Sequence, residues 1–346
     1  MSFLDPVNTI ATKHITPGVV DGVFRNSPLL AYFKRNCLMP YGGGPSWQEN
    51  FLYDVMKGGA YSPGDTFDIS QKQIATGGTV TPRFYNVAVP ALIEKLKIEM
   101  HGREAVFSYV DLLLEDAALT MSGLLSNDAY RHGQDVSGSS RGKNINGLDE
   151  ALNDGTTNGF DGRAYTSYLT LTRTQVNSAL NSKMTEPGAS VAGAITYPLL
   201  ERAYTSVIIG NEHPDLIITT NNGFSYIKMA FQAQQRFETT NPDLGFSGIK
   251  FNGATIMPDQ YAPGARTATT PDTDLGYSAI AAGETIWFLN TKYIRFYVST
   301  DSLFGFGFTG WVPAQDNSVV VGHYKFCGNL TVQSPRYMRY LYAVTG

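Results

Sequence analysis

Apolar positions between residues 103 and 131 recur at spacings of three and four. Val106, Val110, Leu113, Leu114, Ala117, Met121, Leu124 and Leu125 form one stripe, and the charges Asp111, Glu115 and Asp128 fall off it. This is the pattern of an amphipathic helix. At ~1.5 Å per residue it runs for about 40 Å, long enough to act as a structural spine.

Ahead of it the pattern is that of extended chain. Residues 51–90 open with FLYDV and close with VTPRFYNVAV, both rich in strand formers. Between them lies GGAYSPGDTFDISQKQIATGGT, polar and glycine-rich. A structureless loop of that size is uncommon inside a compact domain, so the segment predicts a protruding β-hairpin with an open tip. At ~3.3 Å per residue it reaches roughly 40 Å. A two-stranded arm is marginal alone in water. Its tip is therefore expected to rest on a neighbour, through Tyr61, Phe67 and Ile74, with Lys57, Asp65, Asp68 and Lys72 as a polar rim. ALIEKLKIEM, residues 91–100, continues as strand, Leu92, Leu96 and Ile98 alternating with charges.

Residues 1–50 are rich in breakers, and only SPLLAYFKR reads as a short helix, with Ser27 as N-cap and Pro28 in its first turn. Such a segment has no core of its own and reads as an arm lying on something else. Residues 133–162 read as loop, followed by strand-rich YTSYLTLTR and a linker to Ser190. From Ile195 helices and strands alternate. ITYPLLERAYTSVIIG is helical, DLIITT a buried strand, NNGFSYIKMAFQAQQRF a helix capped by Asn, and IKFNGATIMPDQ and ETIWFLN strands. That alternation marks a second, α/β-like domain. FGFGFTGWVP and the tail from Ser318 close the chain as strands, which makes the fold class α+β.

Composition adds a hint of self-association. Charged residues are 16% of the 346, below the usual ~25%. Aromatics are 12%, and Tyr and Phe are enriched at interface cores. The net charge of −4 comes with no basic stripe, so no footprint for tight nucleic-acid binding is present. Cys37 and Cys327 are too few for a disulfide framework and are expected to be reduced, buried thiols. No signal peptide pattern opens the chain, and no apolar run is long enough to span a membrane.

Candidate chemistry fails motif by motif. His14, His101, His132, His213 and His323 form no i, i+3 or i, i+4 pair, so no metal site is expected. Gly305 to Gly310 matches G-x-G-x-x-G, but Trp311, Val312 and Pro313 follow where a helix must start. Asp154 to Gly159 opens like a calcium loop, yet its twelfth position is Tyr165 where a bidentate Glu is required. Nothing assembles a nucleophile, base and oxyanion hole. No cofactor and no enzymatic activity are expected.

The order of elements, with the phrases FYNVAVPALIEKLKIEMHGREAVFSYVDLLLEDAALTMSGLL, NINGLDEAL, ITYPLLERAY, HPDLIITTNNGFSYI, GIKFNGATIMPDQ and ETIWFLNTKYIRFYV, resembles the major capsid proteins of tailed bacteriophages, which share the Hong Kong 97 capsid fold. The resemblance implies an N-terminal arm at 1–50 and an extended loop at 51–90. It implies a peripheral domain at 91–190 with the spine helix at 103–131, and an axial domain at 191–319. Strands at 320–346 would return to the peripheral domain. It further implies self-assembly into hexamers and pentamers of an icosahedral shell around double-stranded DNA that is enclosed without sequence-specific binding. The location is then the virion, after assembly in the host cytoplasm. Because the chain enters the arm directly at Met1, a separate scaffolding protein is expected, together with a portal and room for a decoration protein. Some members cross-link a hairpin Lys to an Asn of a neighbour. Lys57 and Lys72 lie in the hairpin, but no position here matches that Asn or its activating carboxylate. An encapsulin-like compartment shell shares the fold and is the first alternative. An unrelated α/β enzyme is the second, and it would need a convergent polar site.

Overall fold

The computed structural model describes residues 27–54, 56–71, 73–92, 103–134, 141–156, 158–173, 193–231, 239–240, 248–264, 283–301, 307–313 and 319–346. The helix expected at the start is α1, Pro28–Tyr32, continued by a wider turn over Phe33–Cys37. Leu29, Leu30 and Phe33 are wholly buried in this chain's own core. Ser27 precedes the helix in an extended conformation but does not cap it. Its hydroxyl donates to Asp259 Oδ2 at 2.7 Å, a stronger, charged acceptor. Strand β1 (Leu38–Tyr41) follows, then β2 (Trp47–Leu52), β3 (Ala75–Val80) and β4 (Arg83–Leu92).

The hairpin is shorter than expected and starts earlier. β2 pairs only with β3, from Trp47↔Val80 to Leu52↔Ala75. After Thr81 and Pro82 the chain leaves the hairpin, and β4 joins a different sheet. The spine helix, α2, spans Arg103–Tyr130. Val110, Leu114, Ala117, Met121 and Leu125 are buried as the stripe requires, while Leu124 is exposed. Asp128 departs from the reading: it is buried, because Arg141, Tyr85 (2.6 Å) and Asn144 (3.1 Å) all donate to its carboxylate. The loop expected at 133–162 contains a short buried helix, α3 (Leu148–Ala151). β5 (Ser167–Tyr168) and β6 (Leu171–Thr172) form a tight hairpin. The expected strand at 93–100 and linker at 174–190 lie outside the described residues, as does most of the arm.

The remaining elements are β7 (Gly193–Ala194), α4 (Tyr197–Thr205), β8 (Leu216–Thr219), α5 (Asn221–Phe231), β9 (Thr239–Thr240), β10 (Gly248–Phe251), β11 (Ala254–Pro258), β12 (Glu284–Leu289), β13 (Ile294–Ser299), β14 (Gly307–Phe308), β15 (Val312–Pro313), β16 (Val319–Val332) and β17 (Arg339–Thr345). Thr220, rather than an Asn, caps α5, its hydroxyl accepting from Gly223 N at 3.0 Å. Asn252 and Gly253 both take positive φ, 47° and 87°, which turns β10 into β11 as a two-residue hairpin.

Two sheets result. The first runs β1-β13-β16, with β4, β14 and β15 also pairing to the long β16. β4 matches β16 residue for residue from Arg83↔Gly328 to Leu92↔Val319. The second runs β7-β17-β12-β8-β11-β10-β9. Its central strands β8 and β12 are buried at every position, as strands covered on both faces must be. Trp287, Leu289, Leu216 and Ile218 face the core shared with α2, while Ile286, Phe288 and Ile217 face α4 and α5. β13, β14 and β15, within 191–319, lie in the first sheet with β16, and β17, within 320–346, lies in the second. The reason is pairing: Tyr340 and Leu341 are apolar on opposite faces and fit beside Trp287 and Ile286, in a strand needing cover on both sides.

Candidate functional site

The root of the β2–β3 hairpin is tied firmly to the body. Glu49 is buried and accepts from Tyr297, from Gln333 (2.8 Å) and from Thr331 (3.4 Å). Phe51 is buried against Tyr168, and Thr79 N donates to Leu169 O at 3.1 Å. Tyr53 N and Asp54 N then close the neck on Ile74 O, at 3.0 and 3.4 Å.

Beyond the neck the tip has no regular structure but is organised by its own polar groups. Ser62-Pro63-Gly64-Asp65 turns the chain with Gly64 at φ 103° and Asp65 Oδ2 accepting from Ser62 N at 2.7 Å. Proline at the second position and glycine at the third suit a type II turn. Lys57 Nζ bonds Asp68 Oδ2 and Ser70 Oγ, each at 2.5 Å. Lys57 first, then the Ser70 side chain and its backbone N, which donates to Asp68 Oδ1 at 3.0 Å, hold the Asp68 carboxyl down at about 2. Tyr61 and Phe67 meet edge to face, with centroids 4.9 Å apart.

The expected contact residues thus divide. Tyr61 and Phe67 are presented outward, 66% and 64% exposed. Lys57, Asp65 and Asp68 bond within the tip and remain exposed. Ile74 sits half-buried at the neck, and Lys72 lies outside the described residues. Two apolar side chains that the pattern missed are more exposed than any of these: Ile69 at 93% and Met56 at 77%. Met56 follows Val55, and Ile69 lies two positions after Phe67.

The hydroxyls of Ser27 and Thr220 meet carboxylates, Asp259 at 2.7 Å and Glu284 at 2.6 Å, and all four residues are buried. A cavity of about 330 Å³ lies between α2 and the start of α5. Its Glu284 already accepts from Thr220 (2.6 Å) and Asn222 (3.1 Å). Contrary to the spacing argument, one histidine does meet carboxylates: His132, Asp149 and Asp161 bring side-chain atoms within 4.8 Å of one another, all buried. The neighbouring charges of Arg141, Arg163 and Arg131 push the His132 imidazole down, after burial, to about 3, and they oppose a cation equally. Cys37 and Cys327 are free and buried, and burial pushes the Cys37 thiol up to about 12. No described helix is long and apolar enough to cross a membrane.

No protein-family model and no curated protein matches the chain. Solved structures do. The Cyanophage A-1(L) capsid subunit superposes with a TM-score of 0.61 at 13% identity, covering 90% of this chain and 91% of that one. The capsid of the native GTA particle gives 0.56 at 10% identity, over 91% and 90%. The holo-SrpI encapsulin complex from Synechococcus elongatus gives 0.55 at 11% identity, over 90% and 87%. At these identities the likeness shows the fold.

Proposed function

We propose that this chain, which has the Hong Kong 97 type fold of phage capsid proteins, is a major capsid protein that assembles with copies of itself into the hexamers and pentamers of an icosahedral shell. The observation that carries the reading is the hairpin. Its root is fastened by buried bonds, while Met56, Tyr61, Phe67 and Ile69 project exposed from its tip. Large apolar side chains displayed together mark an interaction surface, and a second copy is the partner that a shell fold implies. In this reading the first sheet with α2 takes the peripheral place and the second sheet with α4 and α5 the axial one. The shell encloses double-stranded DNA without sequence-specific binding, and its subunits meet a separate scaffolding protein, a portal and any decoration protein in the host cytoplasm. The role is structural, not enzymatic.

The likeness to an encapsulin complex favours a second reading, a protein compartment without a genome. One experiment addresses both. The chain is expressed with and without residues 56–71 replaced by a short Gly-Ser turn, and particles are counted by negative-stain microscopy. Shells from the parent and folded, unassembled subunits from the variant are expected; shells from the variant would refute the role of the tip. Nuclease-protected DNA in particles made with the neighbouring genes marks a capsid, and an enclosed partner protein marks a compartment.

A further inference from the structure

Asp149 on α3 and Asp161 in the following loop meet where the two sheets join. Tyr340 of β17, in the second sheet, donates its hydroxyl to Asp149 Oδ1 at 3.0 Å. Tyr165 donates to Asp161 Oδ2, and Arg163 N donates to Asp161 Oδ1 at 3.0 Å. His132, at the end of the spine helix, places Nδ1 3.7 Å from Asp161 Oδ2. Trp287 and Tyr340 stack alongside, and Phe160 meets both edge to face. Gly159 closes the roof: a Cβ there would lie 2.5 Å from the Tyr340 hydroxyl and 3.0 Å from Asp149 Oδ1. Both carboxyls are at most 1% exposed.

Two bare carboxylates cannot stay this close and this dry. A proton or a cation must lie between them. Asp161 has two donors besides its partner, so it is the better-satisfied anion. Asp149 Oδ2 is buried and receives no hydrogen bond, as expected of an oxygen that carries a proton itself. The guanidinium groups of Arg131, Arg141 and Arg163 disfavour a metal ion in the same space.

We infer that Asp149 is held as a neutral carboxylic acid donating to Asp161, and that this shared proton makes the joint between the sheets weaken as pH rises. In support, burial first, then the Asp161 charge and hydrogen bond, raise the Asp149 carboxyl well above the usual range. The groups facing the pair are His132 and Arg131 from the end of α2, Arg141 from the turn after it, Glu150 on α3, and Asp154, Arg163, Tyr165 and Arg173 from the loops around β5 and β6. Tyr340 and Tyr342 face it from β17. Of these, Glu150 also titrates upward, to about 7, chiefly through burial, so it needs its own control. The sign is fixed by linkage. The folded chain keeps a proton that the unfolded chain releases near pH ~4, so stability falls as pH rises through the folded value.

The test is thermal unfolding of the full, unassembled chain from about pH 5 to about pH 9, with parent, Asp149→Asn and Glu150→Gln. The amide of Asp149→Asn donates to Asp161 and accepts from Tyr340 without titrating. Its expected effect is a flatter pH profile and a midpoint higher by about 3 °C or more at the alkaline end; Glu150→Gln should flatten only the portion below about pH 7. A parent-like slope in Asp149→Asn would overturn the inference. So would one bound metal per chain, or Zn²⁺ stabilisation of the parent that Asp149→Asn abolishes. A second readout needs no variant to fold: the parent above about pH 8, where Glu150 has ionised, should keep the infrared band of a protonated carboxyl, and loss of that band would also overturn it.

Discussion

Ile69→Asp separates assembly from folding. Ile69 is 93% exposed and forms none of the bonds that shape the tip, which run through Lys57, Ser62, Asp65, Asp68 and Ser70. Its replacement should therefore leave the isolated subunit within about 0.5 kcal/mol of the parent, as surface changes do. In the proposed shell the same side chain would be covered by a neighbour. Burying an isoleucine contributes about 2 kcal/mol, so losing it raises the concentration at which shells form by roughly 30-fold, at ~1.4 kcal/mol per tenfold. Covering the new carboxylate in an apolar contact costs more, which makes that factor a lower bound. Sedimentation velocity across a concentration series measures the threshold, and thermal unfolding of the unassembled fraction measures the subunit. A parent-like threshold would refute burial of Ile69 in the contact. A lowered unfolding midpoint would refute the claim that the tip has no part in the fold.

Two further substitutions probe the body. Arg141→Leu removes the cation from the buried Asp128 carboxylate and should cost about 3 kcal/mol in urea unfolding, the usual penalty for leaving a buried charge without its partner; a loss under ~1 kcal/mol would mean that Tyr85 and Asn144 suffice. His132 is held neutral in the fold, its imidazole pushed from 6.5 down to about 3 by burial and then by Arg141, Arg163 and Arg131. The unfolded chain takes up a proton that the folded chain refuses, so His132 by itself contributes a loss of about 1.4 kcal/mol per pH unit as pH drops below ~6.5, opposite in sign to the contributions of Asp149 and Glu150. His132→Asn should lose this slope, and an unchanged acid limb in urea titrations would count against it.

What could be read from sequence was what depends on near neighbours. The spine helix was expected at 103–131 and spans Arg103–Tyr130, since its spacing of three and four is a local property. The buried strands DLIITT and ETIWFLN were visible for the same reason. Partner choice was not. β4 alternates as any half-covered strand does, and nothing in that alternation says that its partner, β16, lies more than two hundred residues on. Asp128 looked like a solvated charge because its neutralising Arg141 sits thirteen positions away, beyond a helical turn. His132, Asp149 and Asp161 share no motif spacing, and only the packing of α2, α3 and the loop after it brings them together.

The same distinction explains why the assembly surface was legible only in part. Residues that hold the fold are constrained by mutual contact, so their positions follow a period. Residues kept for a neighbour face no such constraint within their own chain. In the hairpin the two sets are adjacent but do not overlap. Glu49, Phe51 and Thr79 bind the root to Tyr297, Tyr168 and Leu169. Met56 and Ile69 are 77% and 93% exposed. In the proposed shell, a tip contact on a neighbour would be carried through the neck to the buried Tyr297–Glu49 bond at the first sheet. It also means that substitutions at the tip should be silent in the subunit and decisive in the shell, whereas substitutions at the root, such as Glu49→Ala, should weaken both.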